Sequence, residues 1–150
     1  MSIKDMHDNT RAVVVLAPRA LATVAGSKTA KIIDRQGYGG VEFIFSYGAT
    51  GASTAAIPVV VKDGDVTGTM VSVADTYLLG TEVLAGIPVV AAARASGVTK
   101  NVVKRIGYVG NKRYVTANIG VVSAAIVTVA DIFGISAILH SPGLSPVTNP

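Results

Sequence analysis

The chain has no cysteine and no tryptophan, and only 15% of its 150 residues are charged. Without cysteine it can form neither disulfides nor thiolate metal and redox sites, so its stability must come from packing or from association with partners. The lack of thiols favours synthesis in a reducing cytoplasm. Aromatic residues make up 5% of the chain although half of its residues are hydrophobic. The apolar mass is therefore mainly Ala, Val, Ile and Leu, a composition that suits β-sheets.

The length of the chain is that of one ordinary domain. A domain of this size buries about 68–70% of the surface that its unfolded form exposes, which is enough for one core. We therefore predict a single β-rich structural domain over residues 1–150. The high apolar content combined with few charges also favours extra buried surface between subunits, in an oligomer or in a larger shell.

The formal net charge of +4 is unevenly distributed. From Val41 to Glu82 there are five acidic residues and one basic residue, a net charge of −4, whereas Val83 to Ala130 has six basic residues and no acidic one. Such asymmetry favours head-to-tail contact between copies or docking on an acidic partner. Chance clustering of solvated charges is the alternative.

Two segments bear on export and membrane insertion. The N-terminus is polar and of mixed charge, without the apolar core of a signal peptide, so we expect no export by that route. Residues Ile119–Leu139 are long enough to span a bilayer and include one charged residue, Asp131. Their β-branched residues form two runs separated by Asp131 and Gly134, so we predict two strands and a turn rather than a membrane helix.

Short apolar runs bounded by Gly and Pro predict eight or nine strands. Val41–Tyr47 has the clearest two-residue alternation, and Asn101–Val109 with Lys112–Val121 is the best candidate hairpin, joined around residues 110–111. The other predicted strands are Arg11–Pro18, Lys31–Gln36, Ile57–Val61, Val66–Val73, Ala124–Ala130 and Ile135–His140.

The segments between the predicted strands have their own signals. Pro58 indicates an edge strand or a strand start. The pair Asp63-Gly64 predicts a turn. We expect an irregular connection over Asp75–Glu82, whereas Val83–Ala95 is ambiguous between helix and other structure. The fold class that follows is all-β, an antiparallel β-sandwich or barrel of jelly-roll-like type, with an extended N-terminal arm (residues 1–10) and a Pro-rich C-terminal tail (residues 141–150).

No motif in the chain predicts catalysis or a bound cofactor. The two histidines, His7 and His140, lie near opposite ends, so we expect no metal site. The Gly-rich segment Gly48–Thr54 lacks the Lys and the following helix of a phosphate-binding loop, which makes it a surface loop. Asp63 and Asp65 lack the spacing of a calcium-binding EF-hand loop. The sequence predicts a protein that is not an enzyme and has no cofactor.

The basic segment Arg105–Val115 (RIGYVGNKRYV) contains the candidate site residues. Cations and aromatic rings together suit binding to phosphates and stacked bases, but strand alternation places Lys112 and Arg113 on opposite faces. Arg and Tyr are also favoured anchors in protein interfaces, so a protein partner fits at least as well. A structural role, in which the long side chains protect sheet edges, stays open. The interface candidates are Arg105, Tyr108, Lys112, Arg113 and Tyr114.

Three short motifs carry a resemblance to a known group of proteins. They are Ile33–Tyr38 (IDRQGY), Leu78–Glu82 (LLGTE) and Arg105–Val115, in that order. Together they resemble small virion proteins of tailed bacteriophages over about the middle two-thirds of the chain, and the last motif is the most specific. The chain departs from that pattern in the Ala- and Gly-rich stretches Ala49–Ala56 and Val83–Gly97, which reshape loops available to a partner.

The resemblance implies a head-associated structural protein, namely a capsid decoration or cement protein that stabilises the major capsid lattice. Its partners would be the major capsid protein and neighbouring copies of itself, as a homo-oligomer on the capsid exterior, after assembly in the bacterial cytoplasm. Neither nucleic acid nor a membrane is expected as a partner. The alternatives are a head-tail connector or tail component of the virion and, from another class, a nucleic-acid-binding β module.

Overall fold

The computed structural model describes residues 6–20, 26–48, 57–87, 101–122 and 132–143. In these ranges the chain forms ten strands, one short α-helix, α1 (Glu82–Ala85), and a 3₁₀ turn at Asp75–Tyr77. The strands are β1 (Thr10–Ala20), β2 (Gly26–Lys28), β3 (Ile33–Asp34), β4 (Tyr38–Tyr47), β5 (Val59–Gly64), β6 (Val71–Ser72), β7 (Leu78–Leu79), β8 (Val102–Tyr108), β9 (Tyr114–Val122) and β10 (Ile132–Pro142).

The strands form two antiparallel sheets. Sheet A has the order β1-β10-β4-β8-β7, and sheet B has the order β2-β9-β5-β6 with β3 also paired to β9. The main pairs are nested along the chain: β1 with β10, β2 with β9, β4 with β8, and β5 with β6. This nesting in two facing sheets is the jelly-roll arrangement, to which β3 and β7 are additions. The predicted all-β antiparallel fold of jelly-roll type is thus confirmed. Of the two predicted forms, the described ranges form a sandwich and not a closed barrel.

The core lies between the inner faces of the two sheets. The alternation predicted for Val41–Tyr47 is confirmed, because the four odd-numbered side chains from Val41 to Tyr47 are buried. They pack with equivalent positions of the neighbouring strands β8 and β10, and Phe133 lies against Tyr47 with ring centres 4.9 Å apart. Sheet B contributes alternate residues of β5 and β9 from the opposite side. Full burial of each such side chain contributes about 1.5–3 kcal/mol to the free energy of folding. The inward-facing positions of these alternating strands supply most of the core.

The predicted hairpin of Asn101–Val109 with Lys112–Val121 is wrong. Both strands exist, but β8 pairs with β4 and β7 in sheet A whereas β9 pairs with β2, β3 and β5 in sheet B. The connection at residues 109–113 therefore crosses from one sheet to the other. Alternation reveals which side chains of a strand face the core, but it does not identify the neighbouring strand.

Two predictions around β5 are also corrected. Asp63-Gly64 is not a turn but the end of β5, and the reversal follows at residues 65–70. The strand predicted over Val66–Val73 is reduced to the two residues of β6. Pro58 was predicted to mark either an edge strand or the start of a strand. It directly precedes β5, and β5 lies between β9 and β6, so it marks a strand start.

The two ends of the described chain are more ordered than the sequence predicts. Residues 7–9 of the predicted arm form a turn before β1, and the Thr10 hydroxyl donates to the Met6 carbonyl at 2.6 Å. Ser141 and Pro142 of the predicted tail belong to β10, where Pro142 pairs with Tyr38. The rest of the arm and tail, the predicted strand Ala124–Ala130 and most of the Gly-rich loop lie outside the described residues.

The ambiguous segment that begins at Val83 includes α1 and an isolated bridge between Ile87 and Ile57, and its later part lies outside the described residues. Across the described ranges, no helix has the length and apolar character needed to cross a membrane. The segment Ile119–Leu139 contributes the end of β9 and the first part of β10. Gly134, predicted to separate two strands, lies within β10 and pairs with Ser46, and residues 123–131 lie outside the described residues.

Candidate interaction surfaces

Arg35 fixes the connection between β8 and β9. Its Nη2 donates to the Gly110 carbonyl at 2.7 Å, its Nη1 to the Tyr38 carbonyl at 2.9 Å, and its Nε to the Lys112 carbonyl. The guanidinium carbon also lies 5.6 Å from the centre of the Tyr108 ring. One cation thus binds backbone carbonyls of two segments that are remote in sequence, and these segments come from the first and last motifs of the phage resemblance.

Tyr108 supports this connection from within the core. Its side chain is fully buried, and its hydroxyl donates to Asp63 Oδ2 at 2.7 Å and accepts from the Lys112 amide at 3.1 Å. Burial and the hydrogen bond to Asp63 raise the pKa of Tyr108 to about 12. A Cβ on Gly110 would overlap the Tyr108 ring. Tyr108 was predicted as an interface residue. Because its side chain lies in the core, it is not accessible to a partner at the surface.

Lys112 and Arg113, two of the predicted interface cations, are paired inside the chain. Arg113 binds Asp34 through Nη2 and Nε, at 2.7 and 3.1 Å, and lies over the Tyr114 ring at 5.0 Å. Lys112 Nζ lies 2.6 Å from Asp65 Oδ2. Hydrogen bonds from these cations lower the pKa values of both carboxyl groups. Both cations therefore already have carboxylate partners, and Tyr114 is partly covered by one of them.

Arg105 stands apart from the other candidates. It lies on the outer face of sheet A, with Nε 3.6 Å from Glu42 Oε1 and a side chain that is 79% exposed. The structure therefore does not join the five predicted residues in one basic patch. The pairs of Glu42 with Arg105 and of Asp65 with Lys112 each join the acidic stretch of the sequence to the basic stretch. Part of the charge asymmetry is neutralised within the chain.

The segment between Asp65 and Gly86, which links the two sheets, carries exposed apolar side chains that were not predicted from the sequence. Of the ten large hydrophobic side chains found exposed in the described ranges, six lie between Asp65 and Gly86. This segment includes β6 at the edge of sheet B and then joins the edge of sheet A through β7. We call these six residues the connection surface: Val66, Val71, Tyr77, Leu79, Val83 and Leu84. The sequence signal was present, because the predicted irregular connection contains large apolar residues without strand alternation.

Polar side chains of sheet A hold the carboxyl end of α1. The buried Tyr47 hydroxyl donates to the Ala85 carbonyl at 2.7 Å. Lys104 Nζ donates to the Leu84 carbonyl at 2.9 Å and to the Gly86 carbonyl at 2.7 Å. The last carbonyls of a helix lack partners within the helix, and here sheet A supplies donors for three of them.

Glu82 links the same helix to sheet B. Its Oε1 accepts from the Val61 amide of β5 at 2.6 Å, and Thr81 caps the helix by accepting from the Leu84 amide at 3.1 Å. The four-residue helix is therefore held by both sheets. Val83 and Leu84, which are 76% and 68% exposed, are presented on a fixed backbone.

A shallow cavity of about 250 Å³ lies beside α1. Its walls are apolar except for Glu82, whose carboxylate already accepts from the Val61 amide. Among the residues that the structure describes, no group of three or more His, Asp or Glu side chains could hold a metal ion. The cavity is an extension of the connection surface, lined by Ile57, Pro58, Val59, Glu82, Val83, Gly86 and Ile87.

These features define the class of protein as a jelly-roll β-sandwich with an exposed apolar contact surface. Comparison of the sequence with protein-family models and with curated proteins finds no match.

Proposed function

We propose that this chain is a non-enzymatic structural protein that binds other protein subunits, as a decoration protein on the capsid of a tailed bacteriophage. The observation that carries the proposal is the connection surface, where one segment exposes six large apolar side chains and two of them, Val83 and Leu84, lie on a helix held by both sheets. Apolar surface removed from water contributes about 25 cal/mol per Å². Large apolar side chains concentrated on one exposed segment are typical of a site for a partner.

A rigid scaffold strengthens such a contact. Because α1 is already ordered by its hydrogen bonds to β4, β5 and β8, binding through Val83 and Leu84 costs little additional conformational entropy. A shell also repeats the same contact many times, so that modest individual affinities suffice for a stable coat. The surface therefore suits a subunit that reinforces a lattice of other subunits.

The jelly roll and the three motifs support the assignment to a virion. Jelly rolls are the fold of many viral capsid domains, although the same fold also occurs in lectins and enzymes, so this support is an analogy at the level of the fold. Two of the motifs contribute Arg35 and its carbonyl partners, which set the geometry of the β8–β9 connection. The resemblance thus involves residues with a defined structural role.

Pairing of the basic side chains disfavours the nucleic-acid alternative. Lys112 and Arg113 bind carboxylates of the same chain, and Tyr108 is buried. Arg105 points from a different face of the sandwich. Binding to phosphates would require breaking these pairs, and the described part of the segment presents no row of aromatic rings on which bases could stack.

The proposal is tested with particles of the phage whose genome encodes the chain. Particles made without it should be less resistant to heat, and addition of the purified protein should restore the resistance. Leu84→Lys should abolish binding to these particles, because it places a charge in the connection surface. Met6→Lys is the matched control, since Met6 is 65% exposed and Leu84 68% exposed, and it should bind normally.

Copy number separates decoration from the other virion roles. Densitometry of purified particles should give hundreds of copies, distributed over the shell in cryo-electron microscopy. A low copy number in a ring at one vertex would instead identify a connector or tail component. Equal heat resistance with and without the chain, together with density away from the shell, would overturn the proposal.

A further inference from the structure

The outer face of sheet A has a second unexplained surface. Residues that are directly paired across antiparallel strands share a face, so the strand register defines its rows. One row runs Val14, Ser136, Ile44, Arg105, and a second contains Ala12, Ile138 and Glu42. Val103 lies two residues before Arg105, on the same face of β8. These eight residues are the sheet A face.

The sheet A face is apolar at positions that a solvated sheet normally fills with polar residues. Val14 is 58% exposed and Val103 67%, and Ile44 and Ile138 are half-buried. This apolar character was visible in part in the sequence, because Ile44 shares the outward face of its strand with Glu42 and Ser46.

The outer face of sheet B differs from the sheet A face, because it has polar side chains that bind the chain's own backbone. On its outer face, Thr116 donates to the Lys31 carbonyl at 3.1 Å, and Asn118 accepts from the Ala30 amide at 2.8 Å. Polar side chains of sheet B thus hold a segment of the chain's own backbone. Apart from Ser136, the sheet A face is built from Ala, Val and Ile around one ion pair, and its exposed valines remain accessible.

Charge identifies the partner that fits the sheet A face. The face carries one anion, Glu42, and one cation, Arg105, so its formal charge is zero. Nε of Arg105 lies 3.6 Å from Glu42 Oε1, and the arginine side chain is 79% exposed, so its guanidinium is accessible to a second carboxylate. A face with one exposed cation beside one anion is complementary to itself under a two-fold rotation.

We infer that the sheet A face binds the same face of a second copy of this chain in a two-fold dimer. In this dimer Arg105 of each copy meets Glu42 of the other, and the valines and isoleucines of the two faces are removed from water. The sheet A face adjoins the connection surface at Leu79, which pairs with Gly107 beside Glu42, but none of its eight residues belongs to that surface. The dimer therefore adds self-association to the proposed function and does not depend on it.

The size of the face suits a weak, reversible contact. Its four long strands, about 4.8 Å apart and each contributing about six residues of about 3.4 Å, cover about 400 Å². Two faces then bury about 800 Å² in total, which is in the range of weak, transient interfaces. We therefore expect a reversible dimer rather than an obligate one.

The first test is sedimentation equilibrium of the purified chain. The wild type should be a reversible dimer, and Val103→Lys should weaken its association by at least about tenfold. Met6→Lys is the matched control, because Met6 is 65% exposed and lies before β1, outside the sheet A face. The control should dimerise as the wild type does, and both variants should retain the thermal unfolding midpoint of the wild type.

The second test uses charge reversal to identify the two-fold geometry. Arg105→Glu gives the face two negative charges, and Glu42→Arg gives it two positive charges. Each variant alone should be monomeric through like-charge repulsion, whereas an equimolar mixture should form heterodimers in native mass spectrometry.

A monomeric wild type at millimolar concentration, or a dimer that Val103→Lys leaves intact, would overturn the inference. Failure of the mixed variants to pair while both remain folded would overturn the two-fold geometry. Particle binding through the connection surface is measured separately, with Leu84→Lys. The dimer and the decoration role can thus fail independently.

Discussion

Tyr108 and Asp63 are polar residues in a core that is otherwise apolar. Asp63 is 8% exposed, and it is stabilised by the hydroxyl of Tyr108, which in turn accepts from the Lys112 amide. A buried polar group without partners would cost about 1–3 kcal/mol, so these contacts have to form together. Neither residue was recognisable as buried from its local sequence, because the Asp63-Gly64 pair is typical of a turn.

The raised pKa of Tyr108 predicts a loss of stability in alkali. The group titrates near pH 10 when unfolded and at about 12 when folded. Its contribution to the free energy of unfolding is complete below about pH 10 and decreases as the pH rises towards about 12, because the folded chain holds the proton more tightly. Urea unfolding from neutral to alkaline pH should show this decrease.

Tyr108→Phe should remove that part of the pH dependence. It should also lower the free energy of unfolding at neutral pH by about 1–3 kcal/mol, because Asp63 and the Lys112 amide lose their partner. Tyr77→Phe is the control, since Tyr77 is 50% exposed. A Tyr108→Phe variant with the same alkaline decrease as the wild type would contradict the role assigned to this hydroxyl.

At the scale of elements, the strands were largely predictable but their neighbours were not. The alternation in Val41–Tyr47 correctly indicated which side chains enter the core. The same kind of pattern in β8 and β9 suggested a local hairpin, whereas the nested jelly-roll pairing places these two strands in different sheets. The connection between them is held by Arg35, which is 75 residues away from Gly110 in the sequence. No local pattern indicates such a contact.

Arg35→Lys tests the importance of that contact. Lysine keeps the charge but cannot bind the carbonyls of Gly110, Tyr38 and Lys112 with one planar group. We expect the free energy of unfolding, measured with urea, to fall by about 1.5–3 kcal/mol. Arg11→Lys, at an exposed position of β1, is the control. It should change the free energy of unfolding by less than about 0.5 kcal/mol. Equal effects of the two substitutions would show that Arg35 contributes only its charge.

At the scale of the whole molecule, the surface is organised by ion pairs and by exposed apolar groups. The three candidate cations Arg105, Lys112 and Arg113 lie in two regions of the surface, and each has a carboxylate nearby. Exposed ion pairs contribute only about 0–1 kcal/mol each to stability. Their larger effect is on recognition, because they leave less free positive charge for phosphates.

Nucleic-acid binding should therefore be weak and should depend on these pairs. The wild type should not retain single-stranded or duplex DNA at about 50 mM salt. Asp34→Asn combined with Asp65→Asn raises the formal net charge from +4 to +6 and removes the partners of Arg113 and Lys112. This variant should gain salt-sensitive DNA binding in a mobility-shift assay. Tight binding by the wild type that decreases steeply with salt would favour the nucleic-acid alternative instead.

The sequence by itself determined that the chain depends on packing without disulfides, that it forms a β-rich fold, and which side chains of its clearest strand face the core. These properties follow from composition and from the two-residue period of a strand, which are local. The tertiary structure decided which strands pair, that Tyr108 is buried, that Lys112 and Arg113 bind carboxylates, and that two apolar surfaces remain exposed. These depend on contacts between residues far apart in the chain, which form only when the sheets close over the core.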